Sequence, residues 1–397
     1  MRPSESSFND FLRFFAVAFL SGGCALIALV VFVDPYGIYG MPRLPGMNMV
    51  KPGPTRYQTE IKHQNAVAGN PRLLIFGNSR ADIGFDPSAI PAESGPGYNL
   101  AIAGTGLSVS AKQLRDIVQA GIYPQTMIVG VEFIDFLQNG SSPAVTPVAA
   151  KPDEHGPDFW RFDTLFSLLS VKDAIQTLRI QHDAGAPTIA PTGFNPLKEY
   201  LVHVRNDGYP KIFRQRAQEN AANFQRKSKG RLELGDFNYL REMVSTAIAG
   251  GADVKLLIYP YHAQMLAQFE QYGLWPLFEE WKRHLVDEIA SIKREHPSAR
   301  ITLTDFSGFS AYNCDIIPQE GDRKTVPRWY WEGGHFKKQL GDLLLERLMV
   351  ERPRQNAFGF ALDEKTLTSN QVRIAAERAE CVARQPALFL PPAPIQR

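Results

Sequence analysis

The chain has 397 residues, enough for one large domain or two ordinary ones. Hydrophobic residues make up 44% and charged residues 21%, which excludes wholesale disorder. A net charge of +2 gives no general attraction to a polyanion, so electrostatic partners must be sought in local clusters.

Residues 14–33 run for 20 positions without a charge and are mostly Phe, Ala, Val, Leu and Ile. About 20 such residues cross the hydrocarbon core of a bilayer. A secretory h-region is shorter, ~7–15 residues, and no Ala-x-Ala cleavage site closes this run. A retained transmembrane anchor is therefore expected at 14–33, behind a cytoplasmic tail at 1–13. Arg2 and Arg13 precede the span, but Glu5 and Asp10 accompany them, so the positive-inside signal is weak. A short tail before a large domain places that domain outside the cytoplasm. The expected arrangement is a single-pass inner-membrane protein with its domain in the periplasm. Cys24 lies in the span. Cys314 and Cys381 lie in the soluble part, where an oxidising compartment permits a disulfide; two separate buried thiols are the alternative. No cysteine or histidine cluster has zinc spacing, so no metal is expected.

Residues 34–70 are rich in Pro and Gly and read as a connector wrapped on the domain surface. Apolar runs at 72–77, 98–103, 126–133, 253–260 and 300–306 are expected to be strands. Helices are expected at 108–120, at 264–294 with a break near Gly273, and at 336–351. In the last, Phe336, Leu340, Leu343, Leu344 and Leu348 share one face. The alternation predicts an α/β domain over 71–351, with a mainly parallel five-stranded sheet covered on both sides. Residues 137–236 interrupt it with Gly140-Ser141-Ser142-Pro143, a helical patch near 159–179 and a basic segment. This stretch reads as an insertion or lid beside the site. Residues 352–397 form a C-terminal extension, Pro-rich and extended from 386 onward.

Phe76-Gly77-Asn78-Ser79-Arg80 closes the first strand in a tight turn with a serine at its tip. A serine there can act as a nucleophile if a histidine reaches it. In parallel sheets the ligand site lies beyond the carboxyl ends of the strands. Ser79 falls there, as do Gly104 past the second strand and His335 at the start of the last helix. His335 is the candidate base and Glu332 the carboxylate that orients it, with Gly333-Gly334 letting both turn inward. The N–H groups of Ser79 and Gly104 are the candidate oxyanion donors. Taken singly, such a serine is a turn residue or helix cap, and Glu-x-x-His is surface polarity. Order and strand placement together make them a site.

These residues resemble the SGNH hydrolase superfamily, also called GDSL-like hydrolases. Gly77-Asn78-Ser79 stands where that family has Gly-Asp-Ser. Residues 99–104, Asn-Leu-Ala-Ile-Ala-Gly, resemble its second block, with Gly104 as the oxyanion glycine. Glu332-Gly333-Gly334-His335 resembles its final Asp-x-x-His. The resemblance implies a three-layer, flavodoxin-like SGNH domain. The single N-terminal span, Val33-Asp34-Pro35-Tyr36, Asp305-Phe306-Ser307-Gly308 and residues 331–335 are similar to membrane-anchored SGNH-like proteins of bacterial exopolysaccharide systems, relatives of the alginate O-acetylation proteins. Two departures stand out. Glu332 is one methylene longer than the family's aspartate. The third block, Gly-x-Asn-Asp in the family, reads Val131-Glu132-Phe133-Ile134-Asp135, with no asparagine to supply an oxyanion donor. Loss of one donor costs on the order of 10²–10³ in rate.

Three further residues are candidates for binding substrate. Arg80 can take a carboxylate or phosphate, or pair with Asp82 or Asp86. Asn99 belongs to the second block. His262 follows the fourth strand, where it lines the acceptor site or caps the next helix. Eight basic residues between Arg205 and Arg231 either steer an anionic polysaccharide or form a solvated face. The resemblance implies an extracytoplasmic O-acyl transferase, most simply O-acetyl, acting on a cell-surface polysaccharide through acyl-Ser79. The alternatives are an acetyl-esterase of the same glycan and a non-catalytic polysaccharide-binding assembly subunit. The expected partners are the glycan and a membrane protein that delivers the acyl group. No cofactor and no nucleic acid are expected.

Overall fold

The computed structural model describes residues 5–138, 159–227, 230–349 and 358–390. The chain forms two compact units, Met1–Ile61 with Thr146–Ile189, and Lys62–Val145 with Ala190–Arg397.

In the first unit, Glu5–Val33 is a single helix. Its segment Phe8–Val33 is long and apolar enough to cross a membrane, and side chains such as Phe14 (76% exposed) and Phe19 point outward. The inner end packs Val30 and Val33 on Ala174 of the helix Leu168–Arg179. Asp34 then turns the chain: its Oδ1 accepts from the Ile38 N–H at 2.9 Å, and its carbonyl holds the buried Lys51 ammonium. Lys51–Pro52 pairs antiparallel with Thr188–Ile189. Residues 34–61 fold with the helices beside the apolar one, and Tyr36, Ile61 and Trp160 form a small core of this unit. Of the stretch 137–236, the described residues 159–189 belong to this unit and 190–227 to the other. Phe159–Phe166 and Leu168–Arg179 are helices, as the pattern near 159–179 predicts. Residues 140–143 lie outside the described residues.

The second unit is built on five strands: Leu73–Phe76 (β1), Gly97–Asn99 (β2), Thr126–Val131 (β3), Asp253–Ile258 (β4) and Ile301–Asp305 (β5), of which β2 stops at Asn99, short of the expected 98–103. Every residue of β1 is buried and β3 is buried from Met127 on, the pattern of strands covered on both faces. Their order is β2-β1-β3-β4-β5, all parallel, with Ile75 opposite both Asn99 and Ile128. The sheet is α/β and mostly parallel, with one more strand than expected. Phe360–Ala361 (β6) adds antiparallel to β5. Two residues cannot display an alternation, so β6 left no trace in the pattern.

The long helical stretch divides into Ala263–Gln271 and Trp275–Glu295 around Gly273, whose φ is +69°. A helix not expected from the sequence, Leu367–Arg384, buries Ile374 and Cys381, and Cys381 is bonded to Cys314. Pro386–Phe389, expected to be extended, is a short 3₁₀ turn that buries Leu388. Residues 391–397 lie outside the described residues.

Candidate active site

The serine turn begins where β1 ends. Gly77 has φ +150°, and a Cβ on it would collide with the Tyr259 hydroxyl and meet the Ala81 Cβ at 3.0 Å. Only glycine fits both the conformation and the space. Asn78 caps the helix Ser79–Gly84, its Oδ1 accepting from the Arg80 N–H at 3.0 Å. Ser79 is the first residue of that helix, so its N–H has no partner within it. Two buried side chains lock the helix from behind. Lys62 Nζ bonds Asp82 Oδ1 and the Ala101 carbonyl, both at 2.6 Å. The Asn99 amide donates to the carbonyls of Ala81 and Phe85 at 2.8 and 2.7 Å. The Ile102 N–H donates to the Gly77 carbonyl at 3.1 Å. This lays the loop carrying Gly104 alongside the serine turn, with Gly104 exposed at φ +74°.

The candidate base, His335, arrives on a hairpin rather than at a helix start. Tyr330–Glu332 and His335–Phe336 pair antiparallel around Gly333-Gly334, and the helix begins later, at Lys338. Phe336 docks the hairpin onto the serine helix. Its ring lies 5.4 Å from that of Phe85 and fills the space a Cβ on Gly84 would need. Ser79 Oγ is then 2.8 Å from His335 Nε2. His335 Nδ1 bonds Glu332 Oε1, and the Gly334 N–H donates to Glu332 Oε2 at 2.6 Å. Arg216 Nε lies 3.2 Å from that same oxygen.

Glu332 is 1% exposed. Burial alone would push its carboxyl up, but the His335 charge and hydrogen bond, then Arg216 and the Gly334 N–H, hold it down at about 2. The carboxylate is thus an acceptor at neutral pH and fixes the proton of neutral imidazole on Nδ1. The Nε2 lone pair faces the Ser79 hydroxyl, the arrangement in which a histidine takes a serine proton. The extra methylene of Glu332 is accommodated because the hairpin, not a helical turn, sets its distance from His335.

The other candidates fall elsewhere. Arg80 pairs with neither Asp82 nor Asp86. Its Nη1 is bonded to Glu132, and its guanidinium sits 5.8 and 5.4 Å from the rings of Tyr259 and Tyr261. Glu132 directly follows β3 and also accepts from the Tyr261 hydroxyl at 3.0 Å. Arg80 is therefore engaged by the protein itself. Asn99 is fully buried with its amide spent on backbone carbonyls, so it braces the serine helix instead of meeting a ligand. His262 is also fully buried. Its Nδ1 caps the helix Ala263–Gln271 through the Gln264 N–H, and its Nε2–H donates to the Asp315 carbonyl at 3.1 Å. Burial pushes its imidazole down to about 4, so it is neutral.

The basic segment is mostly paired. Lys211 meets Asp207, Arg214 meets Glu320, and Lys227 donates to the carbonyls of Ile134 and Leu137. Arg216, counted only as one basic residue among eight, is the one that reaches Glu332. No local spacing links positions 216 and 332. Two surface hollows, one lined by Ser245, Ala252 and Arg300 and one by Val286, Lys293 and Glu364, contain none of these residues. Ala252 and Arg300 precede β4 and β5, so the first hollow lies at the strands' amino ends, away from the serine. Among the described residues no three His, Cys, Asp or Glu side chains are grouped to hold a metal ion. The sequence matches no protein-family model and no curated protein.

Proposed function

We propose that this chain is a serine-dependent O-acyl transferase of the SGNH type, working outside the cytoplasm on a cell-surface polysaccharide. The observation that carries the reading is the relay Ser79–His335–Glu332, with its 2.8 Å serine–imidazole contact at the carboxyl end of β1. The strand order β2-β1-β3-β4-β5 supports it, being that of flavodoxin-like sheets, whose ligands sit where the order reverses. The Cys314–Cys381 disulfide supports an oxidising compartment, and the apolar helix Glu5–Val33 supports an anchor in the inner membrane.

In this mechanism Ser79 Oγ attacks the carbonyl carbon of an acyl ester or thioester while its proton passes to His335 Nε2. The leaving group takes that proton as its bond to the acyl carbon breaks. A glycan hydroxyl then gives its proton to Nε2 and bonds the acyl carbon; as the Ser79 Oγ–acyl bond breaks, Oγ takes that proton back from Nε2, restoring the enzyme. The N–H groups of Ser79 and Gly104 take up the negative charge on the carbonyl oxygen. Glu132, held by Arg80 where a third donor was sought, favours a second reading: a glycan-binding assembly subunit with a slow or silent site. The test is hydrolysis of an aryl acetate by the full chain and by Ser79→Ala, beside acetylation of the glycan in cells. Loss of both with Ser79→Ala, at unchanged protein level, is expected. Wild-type acetylation in the variant would refute the catalytic reading.

A further inference from the structure

We propose that Arg216 is a positioning residue for the Ser79 site. Its guanidinium, brought in by the helix Tyr209–Lys227, balances the buried Glu332 charge so that Glu332 orients the imidazole without trapping it as imidazolium. The inference rests on the reading of Ser79, His335 and Glu332 as one working site.

The geometry carries it. Arg216 Nε is 3.2 Å from Glu332 Oε2, yet its N–H is not aligned on that oxygen, and the buried nitrogen has no hydrogen-bond partner. The oxygen already accepts the Gly334 N–H. Arg216 therefore acts on Glu332 by its charge more than by a directed bond. Glu219 Oε2 holds Nη1 from the other side at 2.7 Å, and the Arg216 side chain remains 34% exposed. The other charged and titratable groups facing Glu332 and His335 are Ser79 and Arg80 from the helix Ser79–Gly84, Tyr200, and His262. Arg80 is held by the buried Glu132 and His262 is uncharged, so among the described residues Arg216 is the one guanidinium within ion-pair distance of Glu332.

The sign follows. A bare buried carboxylate beside an imidazole favours the imidazolium. An imidazolium holds a proton on Nε2 and cannot accept one from Ser79. Removing the Arg216 charge therefore moves imidazole protonation to higher pH, and with it the acid limb of any Ser79-dependent rate.

The experiment follows the His335 imidazole by NMR against pH in the full chain in detergent, labelled at its 8 histidines and assigned with His335→Gln. In Arg216→Gln the His335 turnover is expected about half a pH unit or more above wild type, the effect of one charge several ångströms away in a water-like dielectric. Arg216→Lys, which keeps the charge, is expected to recover most of that shift. Equal turnover in wild type and Arg216→Gln, a downward shift, or a lysine variant displaced as far as the glutamine variant would overturn the proposal. Should Arg216→Gln not fold, Glu219→Gln carries the test. Freeing Arg216 from Glu219 is expected to lower the turnover, and no movement would overturn the proposal. The titration needs no substrate, so failure of Ser79-dependent turnover would refute the catalytic reading while leaving this result readable.

Discussion

Replacing Gly77 by alanine tests whether the serine turn is shaped by the side chain beneath it. The new Cβ would overlap the Tyr259 hydroxyl, and Tyr259 is fully buried and has no room to withdraw. Overpacking of this kind costs about 1–3 kcal/mol. The backbone adds about 1–2 kcal/mol, because φ +150° is a region that L-residues rarely adopt. Together that is about 2–5 kcal/mol, a large share of a total stability of about 5–15 kcal/mol. Tyr259→Phe removes the colliding oxygen but leaves the backbone strain, so the double variant is expected to recover the packing part alone. Urea unfolding followed by tryptophan fluorescence on wild type, both singles and the double closes the cycle. An unfolding midpoint for Gly77→Ala equal to wild type, or no recovery on adding Tyr259→Phe, would refute the reasoning.

His262 is held neutral by burial, at about 4 against an ordinary 6.5. The unfolded chain takes up its proton first, so the stability tied to His262 is complete above pH 6.5 and is lost as pH falls towards 4. A melting temperature lower at pH 5 than at pH 7 is expected, with a flatter slope in His262→Gln; equal slopes would contradict it. Glu332, held at about 2 against an ordinary 4.5, stays ionised through that whole range and loses its contribution only as pH falls from 4.5 towards 2. Glu332→Gln is expected to lower Ser79-dependent turnover by roughly 10²–10⁴-fold, as an imidazole in the wrong tautomer cannot serve as base. Breaking the Cys314–Cys381 bond, which closes a separation of 67 residues, is expected to cost about 4 kcal/mol on chain entropy. Cys314→Ser should show this as a lowered denaturant midpoint.

Most of the parallel strands were legible because they are apolar-rich runs long enough to stand against their surroundings, as Thr126–Val131 and Asp253–Ile258 are; Gly97–Asn99 is too short to show this. Ser79, Glu332 and His335 were legible because each lies in a short local pattern with a glycine one or two places away. What stayed hidden depends on contacts between distant segments. Arg80 faces three acids near in sequence or space, and only the fold selects Glu132 over Asp82, which Lys62 has already taken. Asn99 and His262 carry polar groups that look free in one dimension, but buried backbone carbonyls and N–H groups claim them. The helix Leu367–Arg384 was missed because its buried face is narrow, with Asn370, Ile374 and Cys381 among charged neighbours. The Pro- and Gly-rich stretch after the apolar helix looked like linker because its anchors, such as Lys51 on the Asp34 carbonyl, are single polar contacts without periodicity.

Ser79 and His335 meet across 256 residues of chain. During synthesis Ser79 emerges early and His335 very late, after all five parallel strands. A nascent chain shorter than 335 residues therefore carries the serine without the imidazole it meets in the folded chain. Closing so long a loop costs chain entropy that contacts elsewhere in the fold must offset. Any truncation before the hairpin leaves the serine turn without its imidazole partner.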